Sequence, residues 1–473
     1  MREDWQPVLM LVYIFVFMFF AKIIKEKLGI FKSIVIPTAL LAGFLGLIFG
    51  PELLGSLSVN LFDQEIRLGL QYDNDFYESI LFYFMIIGFV SLTLTERHSK
   101  QNRQSIDSGL FIVSTYILQG LLGVFVLYIV ATTIKPDIFI GLGLLLPLAF
   151  GQGPGLASSI GGKWDETLAI GYAQQFGITL ATVGFIVGGI IGVLLLNYYI
   201  RKYKLKVVRL RDLKGIKTKS IDFETINEVN FSDNFLVQVV WLSLIFLLTY
   251  LVSLLFYQTM LPLGEIGKTL GGLVLGFSYL FGVFIALGLR GFLRKLETRG
   301  HRTKPLIDDY MMHNISSFAL NVMITASVMS IKISSIKEYW EILLLVTVVG
   351  ALGTLIYVTL FGRYVFNENP NHYVITLFGM LTGVAATGLA LLRGIDPELE
   401  TDTADNVVVL GSAIAAPIGI PMMILLSFPV IAYTIPHKGY YNYFMIAGLI
   451  GYLTLLIGFL VWRRKYYSKK SNQ

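Results

Sequence analysis

The sequence predicts an all-α polytopic membrane protein with two inverted repeats. Each repeat has five transmembrane helices plus a re-entrant hairpin, and one extra C-terminal helix follows. Of the 473 residues, 55% are apolar and only 14% are charged, whereas soluble domains carry about 25% charged residues. Eleven apolar runs are long enough to cross a bilayer, and two further apolar segments are short and interrupted. Together these three observations predict the fold class.

The long apolar runs predict the transmembrane helices, since a helix needs about 20 apolar residues to cross the hydrocarbon core. The predicted spans are 6–23, 33–50, 77–95, 108–132, 168–200, 233–257, 269–291, 310–332, 337–362, 404–433 and 441–462. The first run is too long for a signal peptide and lacks a basic segment before it. Lys22, Lys25 and Lys27 follow it instead, which places the N-terminus outside.

The two short segments, 138–163 and 371–393, each predict a helix, a break and a second helix. The first is interrupted by Gly151-Gln152-Gly153-Pro154-Gly155 and the second by Thr382-Gly383-Val384-Ala385-Ala386-Thr387-Gly388. Only 13 residues, 138–150, precede the first break, which is too few to span a bilayer. Each segment is therefore predicted to enter the membrane and leave it on the same side.

Basic residues support the two hairpins. If both segments are hairpins, 29 of the 37 lysines and arginines lie on the cytoplasmic side, as the positive-inside rule requires. A full crossing by the first segment would place the cluster at 201–219 outside, and one by the second would place the basic C-terminal tail outside. The C-terminus is therefore predicted to be cytoplasmic.

The resulting organisation has four parts. Residues 1–200 form the first repeat, 201–232 a basic cytoplasmic linker, 233–433 the second repeat and 441–462 an additional C-terminal helix. The second span of each repeat begins near a proline, Pro37 or Pro262. The span after each hairpin has small residues four apart, a spacing that permits close helix packing; they are Gly184, Gly188 and Gly192, and Gly411, Ala415 and Gly419.

Broken helices at matching positions of inverted repeats indicate the binding site of a secondary transporter. Helix N-termini at the breaks attract an anionic substrate, and freed carbonyls can coordinate sodium. The candidate substrate-binding residues are Gly151, Gln152, Gly153, Gly155, Ser158, Thr382, Gly383, Thr387, Gly388 and Arg393. Arg393 either binds a substrate carboxylate or only extends to the cytoplasmic interface of the membrane.

Polar residues elsewhere in the apolar runs are candidate cation ligands. They are Asp405, Asn406, Asn321 and Gln174. Asp405 and Asn406 are equally explained as residues that cap a helix, and Asn321 and Gln174 as residues that join helices. Because carboxylates deep in the spans are nearly absent, the sequence favours sodium coupling over a proton relay. We expect no other metal and no cofactor.

Several other functions lack their sequence signatures. The chain has no cysteine, and it contains neither a His-Glu-x-x-His nor a Gly-x-Ser-x-Gly motif, so we predict that it is not an enzyme. Its basic residues lie at the ends of apolar runs, which argues for contact with a lipid bilayer and against nucleic acid. A channel would be expected to have a ring of charged residues or a filter-like motif, and the sequence shows neither.

Several segments carry a family resemblance. They are Ile36-Pro37, 84–88, 149–155, 181–192, 379–383, 387–393 and 409–412, of which Ala-Phe-Gly-Gln-Gly-Pro-Gly at 149–155 is the most specific. On these segments the chain resembles the glutamate:sodium symporter (ESS) family, as a divergent member, from about residue 30 to 430. The family shares its architecture with the 2-hydroxycarboxylate transporters.

The resemblance implies sodium-coupled symport of glutamate or a related organic anion in the plasma or inner membrane. It also implies a homodimer in which a transport part carrying both hairpins moves against a scaffold by alternating access. A Gly-Gly-x-Gly signature is expected at each break, but this chain has Gly151-Gln152-Gly153-Pro154 and Gly383-Val384-Ala385-Ala386. The alternatives are another carboxylate or amino acid with a different coupling ion, or a channel-like protein.

Overall fold

The computed structural model describes residues 5–28, 36–61, 64–95, 102–205, 228–299, 306–396, 401–435 and 437–471. Its first half contains helices α1 (Gln6–Lys27), α2 (Thr38–Phe49), α3 (Asn74–Leu94), α4 (Arg103–Thr133), α5 (Leu145–Gln152), α6 (Pro154–Leu168) and α7 (Ala173–Tyr203). A short antiparallel hairpin of strands β1 (Ser58–Leu61) and β2 (Gln64–Arg67) lies between α2 and α3. Most of the predicted linker, 206–227, lies outside the described residues.

The second half contains helices α8 to α18. They are α8 (Glu228–Met260), α9 (Gly264–Gly276), α10 (Ser278–Thr298), α11 (Asp309–Met329), α12 (Trp340–Tyr357), α13 (Pro370–Thr382), α14 (Ala385–Leu392), α15 (Leu410–Ile418), α16 (Ile420–Leu425), α17 (Ser427–Thr434) and α18 (Tyr441–Ser471). Short helical turns occur at Leu54–Ser56, Ile140–Leu144, Leu261–Leu263, Ile333–Ile336 and Arg363–Val365. Two segments, Val358–Gly362 and Asp405–Val409, are π-helical.

The predicted all-α membrane class is confirmed. Within the described residues, eight helices are long and apolar enough to cross a membrane. A ninth crossing results if the pair Asp405–Ile418 and Ile420–Thr434, bent by 49°, counts as one span. The hairpin β1–β2 adds eight residues of strand in a loop and does not alter the class.

Three predicted boundaries were wrong for local reasons. The span 269–291 is two helices, α9 and α10, which meet at Phe277. There the Ser278 hydroxyl bonds the Leu275 carbonyl at 2.5 Å, an alternative to continuing the helix. The span 404–433 is divided because Pro417 and Pro421 lack the N–H that a helix interior needs.

The third boundary concerns the end of the first hairpin. We predicted that it ends at residue 163 and that the next span begins at 168, but α6 continues to Leu168 and α7 starts at Ala173. The polar stretch stays helical, with Lys163 and Glu166 one turn apart and 2.6 Å from each other. The helix stops where Ala169 and Gly171 adopt positive φ.

Helices α2, α3, α10 and α11 form one packed group. The Thr325 hydroxyl of α11 donates to the Ala39 carbonyl of α2 at 3.0 Å, and Ser316 of α11 donates to the Gly88 carbonyl of α3 at 2.9 Å. A β carbon on Gly282 of α10 would lie 2.8 Å from Val90 of α3. Thus α11 packs on α2 and α3, while α10 packs on α3.

A second packed group surrounds both hairpins. It contains α4, α7 and α12, and the two hairpins α5–α6 and α13–α14. Helix α15 packs against the start of α4, where Gly109 faces Ile414. The C-terminal helix α18 joins the same group, because Arg463 Nε lies 2.5 Å from Asp107 Oδ1 of α4 and both side chains are buried.

Candidate functional site

The first break falls at a single residue. Gly153 has φ 89° and ψ −179°, a backbone conformation that is essentially restricted to glycine. Pro154 then starts α6, where its missing N–H costs no helical hydrogen bond. The Gly-Pro pair therefore ends α5 and starts α6 within one residue, as the sequence predicts.

Three helices enclose the first break. The Tyr116 hydroxyl of α4 donates to the Gly151 carbonyl at 3.2 Å. A β carbon on Gly155 would lie 2.7 Å from the sulfur of Met85 on α3 and 3.0 Å from that of Met323 on α11. The first break therefore contacts both packed groups of helices. It contacts the second group through α4, and the group of α2, α3, α10 and α11 through α3 and α11.

The second break lies at Gly383 and Val384. The Gly383 amide still donates to the Gly379 carbonyl at 3.0 Å, and α14 begins two residues later at Ala385. The two arms fold back on each other, since a β carbon on Gly379 would lie 2.9 Å from the Gly388 Cα. The glycines at 379 and 388 thus allow the arms of this hairpin to touch along their backbones.

The two breaks meet. A β carbon on Gly153 would lie 3.3 Å from Cγ1 of Val384. Helix α7 contacts the same place, because a β carbon on Gly188 would lie 3.0 Å from the Thr382 hydroxyl and 3.3 Å from the Gly383 nitrogen. The predicted small-residue stripe of α7 therefore packs on the second hairpin.

The equivalent stripe in the second half packs elsewhere. Gly411 of α15 faces Ser108 and Ile112 of α4, and a β carbon on Gly419 would meet only carbonyls of its own helix. The sequence spacing is therefore the same in both halves, but only the stripe of α7 borders a break.

Helix ends dominate the electrostatics where the breaks meet. Residues 150–160 and 380–392 contain no charged side chain. The N-termini of α6 and α14 point their positive dipole ends at the breaks, while α13 ends there with its negative end. Such an arrangement suits an anion and a cation held close together without charged side chains.

Four of the predicted substrate-binding residues lie at or near the breaks, and they differ in burial and in hydrogen bonding. Gln152 is half-buried, whereas Ser158, Thr382 and Thr387 are buried. The Thr382 hydroxyl donates to the Phe378 carbonyl at 2.7 Å, one turn earlier in its own helix. The Thr387 hydroxyl is buried and has no hydrogen-bond partner among the described residues, so it is free to contact a ligand.

Gln174 serves the structure of the first hairpin. Its side-chain amide donates to the Ser158 hydroxyl at 3.1 Å, and its backbone amide donates to Asp165 at 2.9 Å. These bonds tie the start of α7 to α6. They agree with the alternative that Gln174 joins helices.

The remaining predicted ligands lie away from the breaks. Arg393 is exposed at the end of α14, and Asn406 donates to the Tyr373 hydroxyl at 2.8 Å near the start of α13. At 1.5 Å per residue, Tyr373 lies roughly 14 Å along α13 from Thr382. Asp405 precedes Asn406 and is exposed.

Asn321 faces away from the first break. Met323, two residues later on α11, points its sulfur at Gly155, and two residues turn a helix by about 200°. Asn321 is accordingly exposed. The structure does not bring it together with the other candidate residues.

Sequence reasoning missed a buried amide in the middle of α4. Gln119 donates through Nε2 to the Thr354 hydroxyl of α12 at 2.9 Å and to the Leu381 carbonyl of α13 at 2.8 Å. Gln119 and Thr354 have no exposed surface. The signal was available, since Gln119 is the one amide side chain in the apolar run 108–132.

A second polar cluster joins the two helix groups through Gln175, which like its neighbour Gln174 is a polar residue near the start of its apolar run. Gln175 of α7 donates to Glu78 of α3 at 2.8 Å and to the Ser330 carbonyl at 3.0 Å, and it accepts from the Lys332 amide at 2.8 Å. Lys332 Nζ lies 3.3 Å from Glu78. This cluster holds the start of α7 against α3 and against the residues that follow α11.

The family comparison covers both breaks. The sequence model of a family described as sodium/glutamate symporter matches residues 6–392, from α1 to the end of α14. The comparisons with curated proteins and with solved structures gave no match.

Proposed function

We propose, from the premise that this chain belongs to the sodium/glutamate symporter family, that it is a secondary transporter for glutamate or a related organic anion. Sodium is the coupling ion, and the cell (plasma or inner) membrane is the location. The observation that carries the proposal is the meeting of two broken helices at Gly153 and Val384. Paired breaks of this kind bind substrate and ions in secondary transporters.

The substrate and ion chemistry follows from the helix ends. The N-termini of α6 and α14 provide donors and positive partial charge for a carboxylate. The C-terminus of α13 and the neutral oxygens beside it provide acceptors for sodium. An anion and a cation bound together also offset each other's charge, which favours simultaneous transport.

Exchanged helix contacts support the inverted repeat, with domains at 1–200 and 233–433. In this assignment α2 corresponds to α9–α10 and α3 corresponds to α11. The contact of α2 with α11, at Ala39 and Thr325, then has its counterpart in the contact of α10 with α3, at Gly282 and Val90. A pseudo-two-fold axis produces such swapped pairs. We also propose that residues 201–232 form the linker between the repeats, that α18 is an additional helix after them, and that the N-terminus lies outside.

Alternating access is proposed as a movement between the two helix groups. The hairpins with α4, α7 and α12 form the transport part, and α2, α3, α10 and α11 belong to the scaffold. The first break contacts the scaffold through Met85 and Met323, two flexible thioether side chains. Substrate and sodium bind where the parts meet, so they can shift the balance between two arrangements of the parts.

A homodimer through the scaffold is supported by an exposed polar stripe on α11. His313, Asn314, Ser317 and Asn321 are all exposed on this helix. Polar side chains in a membrane span normally face protein, and amide groups can pair with their own copies across a two-fold axis.

Cross-linking in native membranes should trap a dimer whose yield falls in Asn321→Leu. An unchanged yield would contradict this contact.

Sodium-driven uptake tests the proposed function. The purified chain in proteoliposomes should accumulate labelled glutamate when an inward sodium gradient is imposed, and a sodium ionophore should abolish the accumulation. Protein-free liposomes provide the control. Accumulation driven by protons, or only of another carboxylate or amino acid, would support the alternative. No accumulation of any such solute under either gradient would contradict a symporter.

A further inference from the structure

Gln119 lies where three helices of the transport part cross. It is sixteen residues from the start of α4 and fourteen from its end, so it lies near the middle of the span. Its partners are Thr354, near the middle of the span Trp340–Val365 that α12 begins, and Leu381, one residue before the end of α13. An amide side chain is costly at this depth unless it is satisfied or used.

Only half of this amide is satisfied. Both N–H groups of Nε2 are used, one on the Thr354 hydroxyl and one on the Leu381 carbonyl. The carbonyl oxygen Oε1 is buried and accepts no hydrogen bond from the described residues. Since buried acceptors in proteins almost always have a partner, this oxygen indicates a bound group.

The surroundings select a cation as that group. Helix α13 ends beside Gln119, and a helix C-terminus carries negative partial charge and carbonyls without helical partners. The Thr387 hydroxyl, against the backbone of Gly383 in the same hairpin, is a second buried oxygen without a partner among the described residues. Neutral oxygens in this setting are ligands that sodium accepts.

Burial selects an ion over an organic substrate. Gln119, Thr354 and Leu381 have no exposed surface, and Oε1 itself is buried. We propose that Oε1 of Gln119 is a ligand of the coupling sodium ion, beside the C-terminus of α13. Gln119 thereby links sodium binding to the position of the second hairpin through the bond from Nε2 to Leu381. This inference rests on the proposed sodium coupling.

Sodium-dependent thermal stability of the purified full-length protein in detergent tests the inference. The melting temperature should rise with sodium chloride and not with choline chloride at equal ionic strength. In Gln119→Leu the half-saturating sodium concentration should rise at least about tenfold, since even outer-shell changes weaken metal sites by that amount. The matched control is Thr115→Val, one turn earlier on α4, which removes a buried hydroxyl that donates to the Phe111 carbonyl of its own helix. Its half-saturating sodium concentration should stay within about twofold of the wild-type value.

Distinct results separate the two proposals. Wild-type sodium dependence that is unchanged in Gln119→Leu would overturn the role of Gln119 and leave sodium coupling standing. No stabilisation of the wild type by sodium would overturn both. If Gln119→Leu does not fold, Gln119→Glu decides, because it retains an oxygen at this position: a retained sodium response supports the proposal and a lost one contradicts it.

Discussion

Gly388→Ala is expected to reduce sodium-driven glutamate uptake at least about tenfold, equivalent to roughly 1.4 kcal/mol. A β carbon at this position would lie 2.5 Å from the Thr376 carbonyl oxygen and 3.1 Å from the backbone nitrogen of Met380. Backbone atoms cannot rotate aside, so the arms α13 and α14 must separate. The second break would then move relative to Gly153 and α7. Initial uptake rates in proteoliposomes measure the effect.

The control for this change is Gly458→Ala in α18. Outside the helix's own backbone, no described atom lies within 4 Å of a β carbon at Gly458, and alanine favours a helix more than glycine does. Its uptake should equal that of the wild type. Equal uptake by Gly388→Ala, at matched amounts of reconstituted protein, would show that the arms need not touch for transport.

Gly153→Ala is expected to weaken glutamate binding by about tenfold or more. Holding a non-glycine residue at the backbone angles of Gly153 costs on the order of 1–3 kcal/mol. The added methyl group would also press on Val384 of the opposite break, at 3.3 Å. The chain would relieve this strain by moving the break. The concentration of glutamate that gives half-maximal uptake should therefore rise.

Gly171→Ala is the matched control because Gly171 shares the positive φ of Gly153 but not its contact. Gly171 has φ 73° and no atom within 4 Å of its β-carbon position. Its variant should lose some thermal stability and keep the wild-type half-maximal concentration. If both variants change this concentration equally, the effect of Gly153→Ala would come from strain alone and the break would not be the site.

The breaks and the membrane class were predictable because they are local properties of the chain. Hydropathy marks the spans, and Gly153-Pro154 excludes a continuous helix whatever surrounds it. The division at Phe277 was missed because no proline marks it, and hydropathy does not sense a helix that ends within an apolar run. Similarly, the end of the first hairpin was predicted at residue 163, where polar residues begin, although the helix continues to Leu168.

The site was only partly predictable because most of its contacts are distant in sequence. Gln119 lies 235 residues from Thr354 and 262 from Leu381 along the chain. No local pattern shows that these groups meet. Arg393 was predicted as the residue that ends the second hairpin, and Asn406 as a polar residue that opens the next apolar run, but the geometry of α13 and α14 places both at the base of that hairpin.

The proposed mechanism requires glutamate and sodium to bind together where the two breaks meet. The chain has no cysteine, so single cysteines can be placed without other changes. Ala386→Cys lies exposed beside the second break, and Ser79→Cys lies exposed on α3 as a control. Their alkylation by a water-soluble maleimide is measured in proteoliposomes with sodium, glutamate, both or neither. Sodium and glutamate together are expected to slow the alkylation of Ala386→Cys and to leave that of Ser79→Cys unchanged. Equal alkylation of Ala386→Cys in all four conditions would contradict it.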